Sequence, residues 1–318
     1  MKKLFLFDAY ALIYRAYYAF IKNPRINSKG LNTSAVMGFV NTLNEIITKE
    51  QPTHIGVAFD HGKTFRNEAF PEYKAQREET PEDIKRSVPI IKQLLEAWHI
   101  PCLQVDGFEA DDVIGTLSMK SGKMGVETYM LTPDKDYGQL VRDNIFQFRP
   151  RHGGGYEKMG PKEVCAKYGI ENTDQIIDLL ALMGDSSDNF PGCPGVGEKT
   201  AVKLIEEFGN IDNLLENSDQ IKGKLREKVE AHVDDIRMSK FLATIRTDVP
   251  IELDLDSLQL REPDEEKLRA LFAELEFKTL ADKILKKPTQ TPKLLMDSSI
   301  CLEILRPRLR KSKKIPIF

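Results

Sequence analysis

The sequence predicts an α/β fold with a mostly parallel central sheet flanked by helices, followed by a helical region. Short apolar runs recur through the first half, and helical periods separate them. From Pro161 to about Phe277 the pattern changes to helix after short helix, with turn signals between. Strands that alternate with helices are joined by crossovers, and crossovers build parallel sheets covered on both faces.

The elements follow in order. KLFLFD (3–8) is strand-like, and an aromatic-rich helical stretch succeeds it. AVMGFVNTLNEIITKE (35–50) and IIKQLLEAWHI (90–100) have the helical period, and HIGVAFD (54–60) between them is a second strand-like run. VETYMLT (126–132) is a third and NIFQFR (144–149) a fourth. RPRHGGGYEKMGP, with its glycine-rich turn and proline, places a division between 150 and 170. The expected organisation is an α/β unit over 1–165, a helical unit over 166–285 and a tail over 286–318. Periodicity fails from Lys286, and Arg306, Arg308, Arg310, Lys311, Lys313 and Lys314 make the tail basic, which reads as disordered.

The chain has 318 residues, of which 41% are apolar, enough for a core in each of two domains. Lys and Arg total 46 against 49 Asp and Glu, a net charge of −3. That balance argues against a histone-like basic binder, and composition alone nominates no nucleic-acid partner. MKKLFLFDAY starts with two lysines as an export signal does, but its apolar run stops at Asp8. No window reaches the ~20 apolar residues of a membrane span. Cys102, Cys165, Cys193 and Cys301 are scattered without a CxxC pair, so neither a disulfide framework nor a zinc site is expected. The expected setting is a reducing cytoplasm without membrane attachment.

Acids fall where acids are costly. Asp8 and Asp60 end the apolar runs FLFD and VAFD, and Asp134 and Asp136 follow the third run in LTPDKDYGQL. In an open α/β sheet the carboxyl ends of strands form the ligand crevice. FEADDVIGTL (108–117) opens a helix with Glu109, Asp111 and Asp112, of which Glu109 and Asp112 share a face. GDSSDNFPG (184–192) adds Asp185 and Asp188, and is read as a second acid cluster opening a helix. Any one of these is equally well a helix cap or turn former. Their coincidence is not: nine converging carboxylates cannot all stay ionised without cations. Oxygen-only ligation suits Mg²⁺ or Mn²⁺, and the lack of histidine in these motifs makes zinc a poor second choice. A two-metal carboxylate site is the usual machinery for in-line attack of water on a phosphodiester.

PGCPGVGEKTA (191–201) spaces Gly192, Gly195 and Gly197 ahead of Lys199 and Thr200. It fails as a P-loop, because Glu198 stands between Gly197 and Lys199 and no strand precedes it, and it fails as a dinucleotide fingerprint. A hairpin between two helices fits better, with backbone N–H groups, Lys199 and Lys203 turned to phosphate, although a plain glycine-capped hairpin has the same pattern. After the second strand, Arg66, Tyr73, Lys74 and Arg77 cluster where the chain leaves the acidic rim. Lys74 and Arg77, three apart, point one way on a helix, with Tyr73 available to stack, a single-strand grip. Taken alone, the stretch reads as a solvated helix face.

FLFDAYALIYRAYYAF, VAFD with TFRNEAFPEYKAQR, GFEADDVIGTL, LTPDKDYGQL and GDSSDNFPGCPGVGEKTA together resemble the 5′ nuclease (flap endonuclease-like) family, in the form of the 5′→3′ exonuclease domain that begins bacterial DNA polymerase I. The resemblance runs in order from about residue 2 to residue 283. It implies a PIN-like nuclease core with a helical arch at about 61–90, and a helix–hairpin–helix-type DNA-binding region around 176–208. By the same resemblance Asp8, Asp60, Glu109, Asp111 and Asp112 surround one metal and Asp134, Asp136, Asp185 and Asp188 a second. Lys74 and Arg77 contact the scissile phosphate, Asp60 and Asp111 join them in catalysis, and the 192–200 hairpin holds duplex DNA and can bind K⁺.

The implied activity is a divalent-metal-dependent 5′→3′ exonuclease and 5′-flap endonuclease, leaving 5′-phosphates. Its partners are DNA with a 5′ flap, a nick or an RNA primer end, and a DNA polymerase, with the protein itself a monomer. The alternative is a catalytically silent DNA-binding module serving a polymerase. With the nine acids set aside, the rest of the chain carries six more bases than acids, so the distribution of charge informs where its total did not.

Overall fold

The computed structural model describes residues 2–151 and 153–285; the basic tail expected over 286–318 lies outside the described residues. In chain order the first part comprises β1 (Lys3–Asp8), α1 (Ala9–Ala19), α2 (Ser34–Glu45), β2 (His54–Ala58), α3 (Phe65–Ala69), α4 (Glu82–Ala97), β3 (Cys102–Leu103), α5 (Ala110–Lys123), β4 (Glu127–Leu131), β5 (Ile145–Pro150) and β6 (Tyr156–Met159). The helices α6 (Pro161–Tyr168), α7 (Gln175–Met183), α8 (Glu198–Phe208), α9 (Ile211–Glu216), α10 (Lys224–Ala231), α11 (Val233–Ala243), α12 (Leu255–Leu258), α13 (Glu265–Glu274) and α14 (Lys278–Ile284) follow.

The sheet has the order β3-β2-β1-β4-β5-β6 and is parallel except for β6. Leu4, Phe5, Leu6 and Phe7 of β1 are all fully buried. That is why this strand reads as a continuous apolar run: a parallel strand covered on both faces has no solvent side to alternate toward. The strand order reverses at β1, with β2 on one side and β4 on the other. Ligand crevices form at such a switch point, outside the carboxyl ends of the strands.

Two strands lay outside the sequence reading. β3 pairs only through Cys102 and Leu103, too short to register as a period. β6 pairs antiparallel to β5, and Gly153, Gly154 and Gly155, all at positive φ, close the hairpin between them. The glycine-rich turn is therefore part of the sheet.

One face of the sheet packs Phe5, Phe7 and Val57 against α1, α2 and α4, and α13 and α14 return to this face through Leu268, Phe272 and Leu280. Trp98, which caps the C-terminus of α4, meets Phe272 edge-on, with centroids 5.9 Å apart. The opposite face packs Leu4, Leu6 and Met130 on α5 and on Leu242 and Ala243 of α11. A third core lies among α7–α11, centred on Leu182, Leu204, Ile205, Ile211 and Ile236. The helices expected over 166–285 thus divide by what they pack against: α7–α11 enclose a core of their own, and α13–α14 cover the sheet.

Candidate active site

Asp8, Asp60 and Asp134 reach the crevice by local structural rules. Asp8 ends β1 and caps α1, its Oδ1 accepting the Ala11 amide at 3.1 Å. Its Oδ2 accepts from the Thr132 hydroxyl at 3.1 Å and the Tyr137 hydroxyl at 3.3 Å, which ties β1 to the segment after β4. Asp60 lies two residues past β2, and its Oδ1 accepts the amide of Ala110, the first residue of α5, at 2.7 Å. Asp134 caps a short 3₁₀ helix (Lys135–Leu140), accepting the Asp136 amide at 3.0 Å. Capping and crevice lining coincide here: the turn geometry is what aims the carboxylates.

Seven of the nine predicted acids, Asp8, Asp60, Glu109, Asp111, Asp134, Asp136 and Asp188, line one cavity of about 480 Å³. Lys74 and Arg77 stand at its wall, as do Tyr10 and Tyr14 from α1. Burial pushes the Asp8 carboxyl up to about 7, helped by the neighbouring charge of Asp60. Asp111 and Asp136 are displaced well above the ordinary carboxylate range, first by burial; adjacent acids add to the shift, while Arg66 opposes it at Asp111 and Lys135 opposes it at Asp136. Asp60 and Asp134 shift upward for the same first reason, although both residues keep open contact with solvent, which weakens the effect of burial there.

Among the described residues no three acid, histidine or cysteine side chains already stand as a ligand set for an ion. The chemistry nevertheless fits one. Asp111 Oδ1 and Asp136 Oδ1 are buried oxygens without a hydrogen-bond partner among the described residues, a costly state that a cation would relieve. The donors are all oxygen, which suits a hard divalent ion. Protein cations hold three of the other acids: Lys74 Nζ lies 2.8 Å from Glu109 Oε1 and 3.8 Å from Asp188 Oδ2, Arg77 pairs with Asp188, and Lys135 Nζ lies 2.7 Å from Asp185 Oδ2.

Several sequence expectations change. Asp112 is fully buried and faces away from the cavity. Its oxygens take both Arg66 nitrogens at 2.7 and 2.8 Å, the Arg246 amide at 2.8 Å and the Glu109 amide at 3.0 Å. Arg66, read as a DNA contact, is 1% exposed, and its remaining hydrogens go to Glu109 Oε2 at 3.4 Å and to the Leu242 and Thr244 carbonyls. It fastens α3 and α5 to the end of α11, and no donor is left to face a phosphate. Tyr73, read as a stacking ring, is 3% exposed, and its hydroxyl donates toward Glu109 and Asp188.

Lys74 and Arg77 converge although the segment between α3 and α4 is a run of turns and not a helix. Lys74 itself is left-handed at φ 56°, and its amide donates to the Asp188 carbonyl at 2.9 Å. Asp185 and Asp188 sit in a tight loop between α7 and α8, not at a helix start. Asp185 lies off the cavity, and the Lys135 ammonium holds its carboxyl below the ordinary range against the opposing effect of burial.

The α7–α8 hairpin forms as expected, with Gly197 capping α8 and Lys199 and Lys203 exposed on its outer face. Gly195 is exposed at the tip, and Thr200 is half-buried. Gly192, read as a phosphate contact, is buried instead. A Cβ there would lie 2.2 Å from the Gly184 nitrogen, so glycine is required for the two loop ends to touch. Sequence reasoning missed Tyr10, Tyr14 and Lys135. The tyrosines follow Asp8 at helical spacing, and Lys135 stands between two acids; both were readable signals.

The family model for the 5′-3′ exonuclease N-terminal resolvase-like domain matches residues 3–169, and that for the 5′-3′ exonuclease C-terminal SAM fold matches 171–266. DNA polymerase I of Bacillus caldotenax is 43% identical over 305 residues, 95% of this chain and 34% of its own length. The Bacillus subtilis enzyme is 44% identical over 89% of this chain and 32% of its own length. The chain therefore spans about a third of the curated relatives it matches. Among solved structures, T5 5′-exonuclease with bound zinc ions superposes with a TM-score of 0.66 at 21% identity, covering 87% of this chain and 99% of that one. The catalytic core of Rad2 in complex with DNA substrate superposes at 0.57 and 19% identity, covering 86% and 87%; at such identities the likeness is one of fold. With both family models matched in order across most of its length, the chain belongs to the 5′-3′ exonuclease family.

Proposed function

We propose that this chain is a divalent-metal-dependent 5′→3′ exonuclease and 5′-flap endonuclease that hydrolyses phosphodiesters of DNA and RNA primers, leaving 5′-phosphates. The observation that carries the reading is the convergence of seven carboxylates, two with buried oxygens that have no partner among the described residues, on a cavity walled by Lys74 and Arg77. The T5 relative was solved with divalent ions and the Rad2 core with DNA, and both chemistries suit this crevice. We read Mg²⁺ or Mn²⁺ as the ions, bacterial cytoplasm as the setting and a monomer as the working form.

Divalent ions held by these acids would supply Lewis-acid charge to the attacking water and to the phosphate. The chain's own residues do the rest. Asp8, Asp60 and Asp111 hold one side of the crevice, and Asp134, Asp136 and Asp188 hold the other. Glu109 completes the inner set, and Asp185 acts through Lys135. Asp112 acts indirectly, because its pairing with Arg66 fixes the first turn of α5 and so aims Asp111. Lys74 and Arg77 lie where a scissile phosphate meets the acids, and their charge orients it while substrate displaces them from Glu109 and Asp188.

The α/β unit to about residue 165 carries the chemistry, with the arch over about 61–90. The region from 166 to 285 supplies the duplex grip through Gly195, Gly197, Lys199, Thr200 and Lys203, with K⁺ a candidate ion at the hairpin. The test is cleavage of a labelled 5′-flap duplex with Mg²⁺, against nicked and single-stranded controls. A DNA-binding module would retain the flap intact while shifting it on a gel.

A further inference from the structure

Lys135 belongs to the same 3₁₀ turn that supplies Asp134 and Asp136, and this turn is anchored by buried Tyr137, Gln139 and Leu140. From that fixed base its ammonium crosses to the loop between α7 and α8 and meets Asp185 Oδ2 at 2.7 Å. The other Asp185 oxygen is taken by the Ser187 amide at 2.7 Å and the Ser187 hydroxyl at 2.5 Å. Asp185 is therefore satisfied on both oxygens, while Asp136 Oδ1, one residue from Lys135, has no partner among the described residues. Among the described residues, four protein cations pair with the predicted acids: Arg66 with Asp112, Lys74 with Glu109, Arg77 with Asp188 and Lys135 with Asp185. Arg66 is spent on the buried Asp112, and Lys74 and Arg77 ride on a turn. Lys135 is the cation built into the outer acid cluster itself.

We propose that Lys135 is a resident counterion of the outer acids Asp134, Asp136 and Asp185, and that by competing with the divalent ion there it sets how weakly that ion binds. The ammonium is paired with Asp185 and belongs to the residue between Asp134 and Asp136, and a unit positive charge set among acids opposes the binding of a further cation to them. A phosphate in the crevice offers the ammonium another anion, so occupancy of the outer site rises when substrate is present. The same ion pair stitches the 3₁₀ turn to the α7–α8 loop, which keeps the acids together while the ion is away.

The inference rests on the metal-dependent reading above, and direct Mn²⁺ binding to the full chain tests both. Calorimetric titration and the spin-resonance signal of free Mn²⁺ are compared for wild type, Lys135→Met, Lys135→Gln and Lys135→Arg, with thermal melting as a check of folding. Loss of the charge tightens the weaker-binding ion about tenfold, and Lys135→Arg restores the wild-type affinity. Two ions on wild type with no tightening in Lys135→Met or Lys135→Gln overturn the inference and leave the functional reading standing. Wild type that binds no Mn²⁺ overturns both.

Discussion

Lys74 and Glu109 close on each other across the mouth of the acidic cavity, with Nζ 2.8 Å from one carboxylate oxygen and 2.9 Å from the other. The contact is made by a residue in a left-handed turn whose own amide is bonded to Asp188. Backbone and side chain thus clamp one lysine between the two halves of the crevice. Substituting Lys74 by Met should lower the rate of flap cleavage about 100-fold, in line with loss of one preorganised electrostatic contact. The melting temperature should change little, because the ammonium is part-exposed. Single-turnover kinetics at saturating DNA separates this from a binding defect.

Asp111→Asn and Asp136→Asn should abolish cleavage and also stabilise the metal-free protein by about 0.5–2 kcal/mol. Both groups are buried among like charges with an oxygen unpartnered among the described residues, so a neutral amide removes repulsion in the folded state. Urea unfolding in chelator reads the stability, and Mg²⁺ should raise the midpoint of wild type much more than that of either variant.

Metal-free protein should lose stability as the pH rises from about 4 to about 7. The Asp8 carboxyl titrates at about 7 in the fold against an ordinary 3.8, and Asp60, Asp111, Asp134 and Asp136 shift in the same direction. In that window the folded chain binds more protons than the unfolded one, so raising the pH favours unfolding. Saturating Mg²⁺ should flatten or reverse the trend, because it favours the ionised acids. Thermal melts at pH 5 and 7.5, with and without the ion, give the sign.

Arg66→Ala should destabilise the fold by about 3–5 kcal/mol, the cost of leaving a buried partner charge unpaired. Asp112 is that partner, bound through two guanidinium nitrogens. Arg66 reaches no solvent, so the salt dependence of DNA binding by the folded fraction should stay as in wild type.

Lys199→Ala with Lys203→Ala should do the opposite. Both lysines are exposed on the outer face of α8, so their loss should weaken duplex binding and reduce the salt slope by about two. Folding and Mn²⁺ binding should be unaffected, as titrations across a salt series will show.

Much of this was legible in the residues. Apolar runs ending in Asp8 and Asp60 announce a parallel sheet with acids on its rim, since buried strands leave no polar positions until they reach the crevice. Pairings between distant segments were not legible. Nothing in the local pattern says that Arg66 turns inward to Asp112, 46 residues away, or that Gly192 is needed to touch Gly184. Spacing placed Glu109 and Asp112 on one face of α5, but only the packing of α11 decided that Asp112 serves structure. Lys74 and Arg77 converge for a reason the helical reading did not contain, a left-handed turn folded onto the Asp188 loop.

The central claim is that the converging acids of this chain make it a metal-dependent nuclease. The most direct measurement is cleavage of a 5′-labelled flap duplex by the purified chain, with Mg²⁺ and with chelator, beside Asp111→Asn and Asp136→Asn. The account predicts cut product near the flap junction with Mg²⁺ in wild type alone, while all three proteins still shift the DNA. An intact flap in the presence of Mg²⁺ and correctly folded wild-type protein would contradict it.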